Sequence, residues 1–182
     1  QPIAKFDLSR DTVCTNLAVN AADSSSGFGL TYRWDFGDGD TSIAQNPSFS
    51  YTTEGTYQVC LTATDINGCD SIICDSIVVL DPVANFNADT TYSTCENLTV
   101  IFTDSSLNTI SWLWQFGNDS TSILQNPSVV YSGTGAYDVT LIASGAGGCQ
   151  DTITANNFVQ VDGPLVSNYS VSPTDSCEDH LV

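Results

Sequence analysis

The clearest structural pattern in the chain is the segment Tyr32-Arg33-Trp34-Asp35-Phe36-Gly37-Asp38-Gly39. Aromatic residues alternate with polar ones, which is the two-residue period of a half-buried β-strand. The Gly-Asp-Gly that follows is typical of a tight turn, because glycine tolerates positive φ and aspartate bonds to nearby backbone amides. The same alternation returns over 57–63 and 98–102, and no stretch supports a helix of ordinary length. The pattern predicts strands separated by turns along the chain.

The chain repeats itself with a period of 80 residues. The segment Thr41–Ser48 returns as Thr121–Ser128 with one difference, Ala44 against Leu124. We therefore predict one module over 1–81, a second over 82–163, and the start of a truncated third repeat over 164–182. The residues that recur outside this segment include Trp34 as Trp114, Tyr57 as Tyr137 and Cys69 as Cys149. Modules in series provide reach or multivalency more often than one catalytic site.

About seven short strands in each module of about 80 residues indicate an all-β fold, a pair of immunoglobulin-like β-sandwiches in tandem. The junctions fall at Pro82 and Pro164. Proline fixes φ and donates no backbone hydrogen bond, so we expect short, stiff linkers and an elongated array. Trp34 and Trp114 lie on the inward parity of their strands and are predicted core residues. The hydroxyls of Tyr57 and Tyr137 are expected to bond back to nearby backbone.

The motif from Tyr32 to Gly39, followed by Asn46-Pro47, Tyr51 and the segment 55–61, resembles the signature of the PKD (polycystic kidney disease) domain. The second module matches it less closely. The paired early and late cysteines are similar to those in PKD repeats of large secreted Bacteroidota surface proteins, such as gliding-motility adhesins of the SprB type. The resemblance implies an immunoglobulin-like β-sandwich and a role in a surface adhesin. PKD domains also serve as spacers in secreted hydrolases, and that alternative stays open.

The charge and hydropathy of the chain exclude some classes of binding partner. The chain has 21 acidic and 3 basic residues and a net charge of −18, and the acidic residues are spread along it. That distribution opposes binding to nucleic acid or to anionic membranes. No apolar run is long enough to span a membrane, so we expect no direct membrane insertion. The expected partners are neighbouring repeats of the same chain, with surface polysaccharide or other surface proteins as further candidates.

Seven cysteines predict a disulfide framework and hence an extracellular or cell-surface location. Matched positions in the two modules favour one bridge within each. The first module has a further pair, Cys60 and Cys74, and the second module has Thr140 and Thr154 in their places. The expected bridges are Cys14–Cys69, Cys60–Cys74 and Cys95–Cys149, which leaves Cys177 for the missing part of the third repeat. A zinc site is disfavoured, because the chain has no Cys-x-x-Cys pair and a single histidine, His180.

We expect no catalysis. Neither complete module contains a histidine to serve as a general base. Asp35 and Asp38 could be imagined as a glycosidase pair, but the second module has Gln115 and Asn118 in their places. Calcium binding is the better candidate function for this turn, since Asp35, Asp38 and Asp40 offer hard oxygen ligands within six residues. A solvated turn is the simpler interpretation.

Two further surface features follow from the sequence. Asp81 and Asp162 lie beside the predicted linkers and are alternative calcium ligands. A recurring Asp-Ser/Thr motif resembles the O-glycosylation motif of exported Bacteroidota proteins. The candidate acceptors are Thr12, Ser71, Ser76, Thr90, Ser120 and Thr152. The function expected from these observations is a stiff, non-catalytic stalk for adhesion or gliding motility, and the alternative is an accessory module of a secreted protease or chitinase.

Overall fold

The computed structural model describes residues 1–95 and 97–163. The expected third repeat, 164–182, lies outside the described residues. We call 1–81 copy 1 and 82–163 copy 2. By spatial contact the chain forms two compact units whose boundaries differ from those of the copies. Unit 1 contains Gln1–Val83, Asn108–Ile110 and Ser144–Asp151, and unit 2 contains Ala84–Leu107, Ser111–Ala143 and the described residues from Thr152 onward.

All regular structure in the described residues is β-strand. The strands of copy 1 are β1 Phe6–Leu8, β2 Thr12–Val13, β3 Val19–Asp23, β4 Thr31–Asp35, β5 Thr41–Ser42, β6 Ser48–Phe49, β7 Gly55–Thr64 and β8 Asp70–Val79. Those of copy 2 are β9 Phe86–Ala88, β10 Tyr92–Ser93, β11 Leu98–Asp104, β12 Ser111–Gln115, β13 Thr121–Ser122, β14 Ser128–Tyr131, β15 Gly135–Ser144 and β16 Gln150–Val161. The described part of the chain has no helix, and therefore none that could cross a membrane.

Each copy is a two-sheet sandwich. Copy 1 has a three-stranded sheet, β1-β3-β6, and a five-stranded sheet, β2-β8-β7-β4-β5. Copy 2 repeats this arrangement as β9-β11-β14 and β10-β16-β15-β12-β13. The tandem all-β, immunoglobulin-like fold predicted from the alternation is therefore confirmed. Its chemical basis is simple, since each strand turns one apolar row inward and one polar row to solvent.

The two cores are built on equivalent residues. Trp34 and Trp114 are completely buried, as their inward parity predicted. In copy 1 the indole packs edge-on against Phe6 with ring centroids 5.1 Å apart, and in copy 2 against Phe86 at 5.3 Å. Each indole Nε1 donates to a backbone carbonyl, Ala44 in copy 1 and Leu124 in copy 2, at 2.9 Å. A buried tryptophan thus fills the sandwich without leaving its polar atom unpaired.

Strands β2 and β10 decide the geometry of the cysteines. β2 pairs in parallel with the last residues of β8, with Thr12 opposite Val78 and Val13 opposite Val79. β10 pairs in the same way with the end of β16. The early cysteine of each copy follows this short strand, whereas the late cysteine directly precedes β8 or β16. The two cysteines of one copy therefore lie near opposite ends of a long strand.

Candidate functional site

The turn after β4 holds the three aspartates that the sequence singled out. Asp35 Oδ1 accepts a hydrogen bond from the Gly37 amide at 2.9 Å, and Asp38 Oδ1 accepts one from the Asp40 amide at 3.0 Å. Gly37 has a φ of +80°, and a Cβ there would lie 2.8 Å from the Gln58 carbonyl oxygen. The turn therefore requires glycine at position 37, and the two aspartates have a local structural role as acceptors of backbone amides.

Copy 2 has the same turn with different chemistry. Asn118 Oδ1 accepts a hydrogen bond from the Ser120 amide at 3.2 Å, and a Cβ on Gly117 would lie 2.7 Å from the Asp138 carbonyl oxygen. A shallow cleft of ≈ 320 Å³ adjoins the turn in copy 1 and one of ≈ 310 Å³ adjoins it in copy 2. Phe36 and Phe116 line the respective clefts, with serine and threonine hydroxyls around them. The turn is therefore a repeated structural element, and copy 2 has Asp119 as its single acidic residue where copy 1 has three aspartates.

Side chains that could bind a metal ion lie close together at a different place in the structure. Among residues 1–95 and 97–163, one group of three has its ligand atoms within 4.8 Å of one another, namely Cys14, Asp81 and Cys149. The two sulfurs are joined in a disulfide, so neither is a thiolate that could bind a metal. Asp35, Asp38 and Asp40 form no such group. Calcium at the turn stays a prediction.

Asp81 and Asp162, the two aspartates beside the predicted linkers, have hydrogen-bond partners of their own. Asp81 accepts from the Thr15 amide at 3.0 Å and from the Thr15 hydroxyl at 2.7 Å, one bond to each carboxylate oxygen. Asp162 accepts from the Tyr92 hydroxyl at 2.8 Å, which raises the pKa of that phenol. Each carboxylate lies just after the last strand of its copy. Asp81 is bonded to the chain just after β2, and Asp162 is bonded to Tyr92 of β10.

Two of the expected disulfides are corrected by the structure. It joins Cys14 to Cys149, and Cys69 is exposed and not in a disulfide. The expected Cys14–Cys69 bridge is wrong, because the ten residues of β8 separate the two positions by about 30 Å at ~3.3 Å per residue. A disulfide needs Cα atoms within about 7 Å. The expected Cys95–Cys149 bridge is wrong for the same reason, since β16 separates that pair.

Cys60 and Cys74 are joined across the β7–β8 hairpin. They are direct partners in the antiparallel register, with Cα atoms 4.1 Å apart. Their side chains are on the solvent side of the sheet, because the neighbouring Val59 and Leu61 point into the core. In copy 2 the corresponding Thr140 and Thr154 hydroxyls are hydrogen-bonded at 2.9 Å.

The tip of the β15–β16 hairpin is the functional element that sequence reasoning missed. It belongs to unit 1, where Arg10 donates from Nη1 to the Gly147 carbonyl at 2.8 Å. A Cβ on Gly147 would lie 2.8 Å from Cys14 Sγ and from the Val13 carbonyl carbon, so only glycine fits. The available signal was the pair Gly147-Gly148, which stands where copy 1 has Asn67-Gly68.

The repeated Gln-Asn-Pro segment also has a structural role. The side-chain oxygen of Asn46 accepts from the Asp23 amide at 2.8 Å, and Gln45 donates to the Asp23 carboxylate at 3.0 Å. Asn126 and Gln125 make the same two contacts with Asp104. Partial burial would raise the pKa of Asp23, but hydrogen bonds from Ser25, Gln45 and Tyr32 outweigh it and lower that pKa.

The tyrosines differ between the copies at one buried atom. Tyr57 and Tyr137 donate to the carbonyls of Thr53 and Gly133, at 3.0 and 2.8 Å, which confirms their predicted structural role. Tyr51 is buried and donates to the Phe36 carbonyl at 2.8 Å. Its counterpart Tyr131 is equally buried, and its hydroxyl has no hydrogen-bond partner. Burial raises the pKa of both phenols.

The candidate glycosylation sites are not equally accessible. Ser76 and Thr152 are exposed, whereas Thr12, Ser71, Thr90 and Ser120 are half-buried. The Ser71 hydroxyl accepts a hydrogen bond from the Ala4 amide at 3.0 Å, and the Ser120 hydroxyl bonds to Asn118. Occupancy at any of the six stays a prediction, and a glycan on Ser71 or Ser120 would have to displace a contact seen here.

Known proteins resemble this chain over most of its described length. The profile of the PKD domain matches residues 1–80 and again residues 79–161. The pre-pro-metalloprotease PrtV of Vibrio cholerae is 30% identical over 156 residues, which cover 84% of this chain and 17% of PrtV. The collagenase ColA of Bacillus cereus is 46% identical over 48 residues, 26% of this chain and 5% of ColA. The chain therefore spans less than a fifth of the length of either relative.

Among solved structures, the PKD1 domain of the Vibrio cholerae metalloprotease PrtV is 36% identical, with a TM-score of 0.39. It covers 44% of this chain, and 98% of that domain is matched. The repeated motif, the duplicated sandwich and the two profile matches agree with one another. The chain belongs to the PKD domain family, of which it carries two copies in tandem.

Proposed function

We propose that the chain is a non-catalytic, extracellular spacer segment of a larger protein. The observation that carries this proposal is the difference between what the two copies keep and what they change. Both keep the buried tryptophan, the turn glycine and the Gln-Asn-Pro anchor. The side chains that could do chemistry change, with Asp35 and Asp38 replaced by Gln115 and Asn118. Duplication of a scaffold leaves this pattern, whereas duplication of an active site would keep the reactive groups.

The extracellular location is supported by the cysteines. Cys14 and Cys149, and Cys60 and Cys74, are joined in disulfides, and such bonds persist mainly in oxidising compartments. The net charge of −18 supports solubility at high local density and disfavours adhesion to nucleic acid. Neighbouring repeats are the proposed partners, together with surface polysaccharide or other surface proteins. Glycans at exposed positions such as Ser76 and Thr152 would be consistent with an extracellular location.

Two parent proteins fit a spacer of this kind. A cell-surface adhesin or filament, with a role in adhesion or gliding motility, is the first, and it rests on the tandem disulfide-bonded repeats. A secreted hydrolase is the second, and it is favoured by relatives that are named as a metalloprotease and as collagenases. In both, the segment itself holds other domains in position.

The spacer role is tested with the purified chain. We expect no hydrolysis of casein, collagen or chitin, and no co-sedimentation with the two insoluble substrates. Small-angle scattering should give a radius of gyration above the ~16 Å of a compact globule of this length. Hydrolysis that disappears in D35A or D38A would contradict the proposal, and so would a radius of gyration at the compact value.

An antibody against the chain distinguishes between the two candidate parent proteins. A surface adhesin keeps the antigen on intact cells, and the immunoprecipitated protein digests nothing. A secreted hydrolase releases the antigen into the medium, and the precipitate digests casein or collagen. Pre-immune serum is the control for both fractions.

A further inference from the structure

One end of copy 1 exposes apolar side chains around a free thiol. Ile3, Phe28 and Ile66 are 65%, 79% and 68% exposed, and Cys69 is exposed and not in a disulfide. Backbone contacts hold these segments together, since the Ile66 amide donates to the Phe28 carbonyl at 3.4 Å and Ile3 pairs with Ser26. We call Ile3, Phe28, Ile66 and Cys69 the Cys69 end.

The corresponding end of copy 2 is not free. Its hairpin tip has the same turn, with the Gly145 amide donating to the Cys149 carbonyl at 2.9 Å as Asp65 does to Cys69. Within unit 1 this tip is partly buried, Arg10 holds the Gly147 carbonyl, and Cys149 is bonded to Cys14. Cys149, the equivalent of Cys69, is thus bonded to Cys14 just after β2, and its hairpin tip is held by Arg10 just before β2.

From this equivalence we propose that the Cys69 end is a docking surface for the β2 end of another PKD copy of the same type. The docking is completed by a disulfide between Cys69 and that copy's counterpart of Cys14. The inference goes beyond the spacer role and holds for either parent protein. It explains why a thiol and three large apolar side chains are exposed together at one end of copy 1.

The docked geometry must differ from that of Cys149, because the two ends differ in sequence. Asn67 stands where Gly147 makes its close approach to Val13 and Cys14. The partner strand is therefore held farther away, by about the size of one side-chain carbon. Disulfides allow Cα separations from about 4.4 to 6.8 Å, so the bond can still form. Apolar contacts of Phe28 replace the hydrogen bond that Asn108 donates to the Asp81 carbonyl at 2.9 Å.

The covalent step is a thiol–disulfide exchange. The Cys69 thiolate attacks one sulfur of a disulfide oxidant, which releases one thiol of the oxidant and leaves a mixed disulfide. The thiolate of the Cys14 counterpart then attacks Cys69 Sγ and releases the second thiol. One S–S bond of the oxidant is broken and one is formed in the protein. The protein loses two electrons and two protons, and the oxidant gains them.

The test is a three-copy chain. Residues 1–80 are placed directly ahead of Gln1, which keeps the repeat period, and Gln1→Asp restores the counterpart of Asp81. C69S in the added copy leaves two thiols of interest, the added Cys14 and the original Cys69. The chain is equilibrated with reduced and oxidised glutathione, alkylated and mapped by mass spectrometry. We expect both thiols to resist alkylation and one linked peptide to join them.

Three variants of the three-copy chain sharpen the result. C14S in the added copy should return Cys69 to full alkylation. F28S/I66S should lower the equilibrium constant for the bond against glutathione at least ~10-fold, because docking supplies the effective concentration. N67G should raise it. Alkylation of both thiols in the unsubstituted three-copy chain, or glutathione on Cys69, overturns the proposal. Equal bond formation in F28S/I66S overturns the docking surface and leaves chance pairing.

Discussion

The β7–β8 hairpin of copy 1 and the β15–β16 hairpin of copy 2 have the same place in the fold, yet their solvent faces are closed differently. Cys60 and Cys74 are joined covalently, whereas Thr140 and Thr154 share a hydrogen bond of 2.9 Å. A disulfide acts mainly by restricting the unfolded chain, and a hydroxyl pair acts only in the folded state. One backbone position therefore tolerates two sources of stability, of different size and different sensitivity to reductant.

The largest effect is expected from C60S/C74S. The bridge closes a loop of 14 residues, and a loop of that size contributes about 3 kcal/mol. Hydrogen exchange followed by mass spectrometry on the whole chain reports the two copies separately. Amides of β7 and β8 should lose protection by about that free energy, and amides of β15 should not. An equal loss in both copies would contradict the assignment of this bridge to copy 1 alone.

The buried tyrosines give the next effect. Y51F removes a donor and leaves the Phe36 carbonyl unpaired, so we expect copy 1 to lose about 1–2 kcal/mol. Y131F removes a hydroxyl that has no partner and should be neutral or slightly stabilising. Exchange protection of each core measures both. A loss in Y131F equal to that in Y51F would show that Tyr131 does have a partner in solution.

A smaller loss is expected from T140V/T154V. The variant removes one exposed hydroxyl pair and keeps the β-branched side chains, so copy 2 should lose at most ~1 kcal/mol. The measurement is the melting temperature of the wild type and of the variant, each with and without reductant. The difference in melting temperature between the two proteins should be the same in both buffers. A reductant-dependent difference would mean that the hydroxyl pair is coupled to a disulfide.

Asp23 should make the stability of copy 1 sensitive to acid. Its pKa is lowered from the ordinary value of 3.8, so its stabilising contribution is full above that value and is lost as the pH falls through the folded-state pKa. Copy 1 of the wild type should therefore lose exchange protection below pH 3.8 more steeply than copy 1 of D23N. Parallel curves would show that the contacts of Gln45 and Ser25 with this carboxylate contribute nothing to stability.

Calcium should have the smallest effect. Asp35 and Asp38 each use one oxygen on the turn's own amides, which leaves few ligands for a cation. Any gain in protection with calcium over chelator should be confined to copy 1 and absent in D38N/D40N. A larger gain in copy 2 would exclude the turn as the calcium ligand.

The strands and the core could be predicted because both depend on local alternation. Trp34, Val59 and Leu61 follow the two-residue period and are all buried. The anchoring role of Gln45 and Asn46 could have been inferred from their recurrence, but their partner Asp23 is 22 or 23 residues away. Which residue a repeated polar side chain contacts depends on tertiary pairing that alternation does not encode.

The cysteine partners illustrate the same limit more sharply. Matched positions in two copies show that two cysteines are equivalent, but they do not show where the chain places them. The parallel pairing of Val13 with Val79 moves Cys14 to the far end of β8 from Cys69. That pairing involves two residues and leaves almost no pattern in the sequence. Sequence equivalence therefore favoured a bridge that the length of one strand forbids.

The parallel pairing has a mechanical consequence. The Val78 amide donates to Asp11 at 2.9 Å and the Leu80 amide to Val13 at 3.0 Å, and the corresponding bonds of copy 2 are both 2.8 Å. Tension between the beginning and the end of a copy pulls β2 and β8 in opposite directions along their common axis. The bonds then share the force in shear and must break together, whereas bonds in a peeled hairpin break singly. A copy of this topology resists stretching through only a few hydrogen bonds, placed between β2 and the end of β8 or, in copy 2, between β10 and the end of β16.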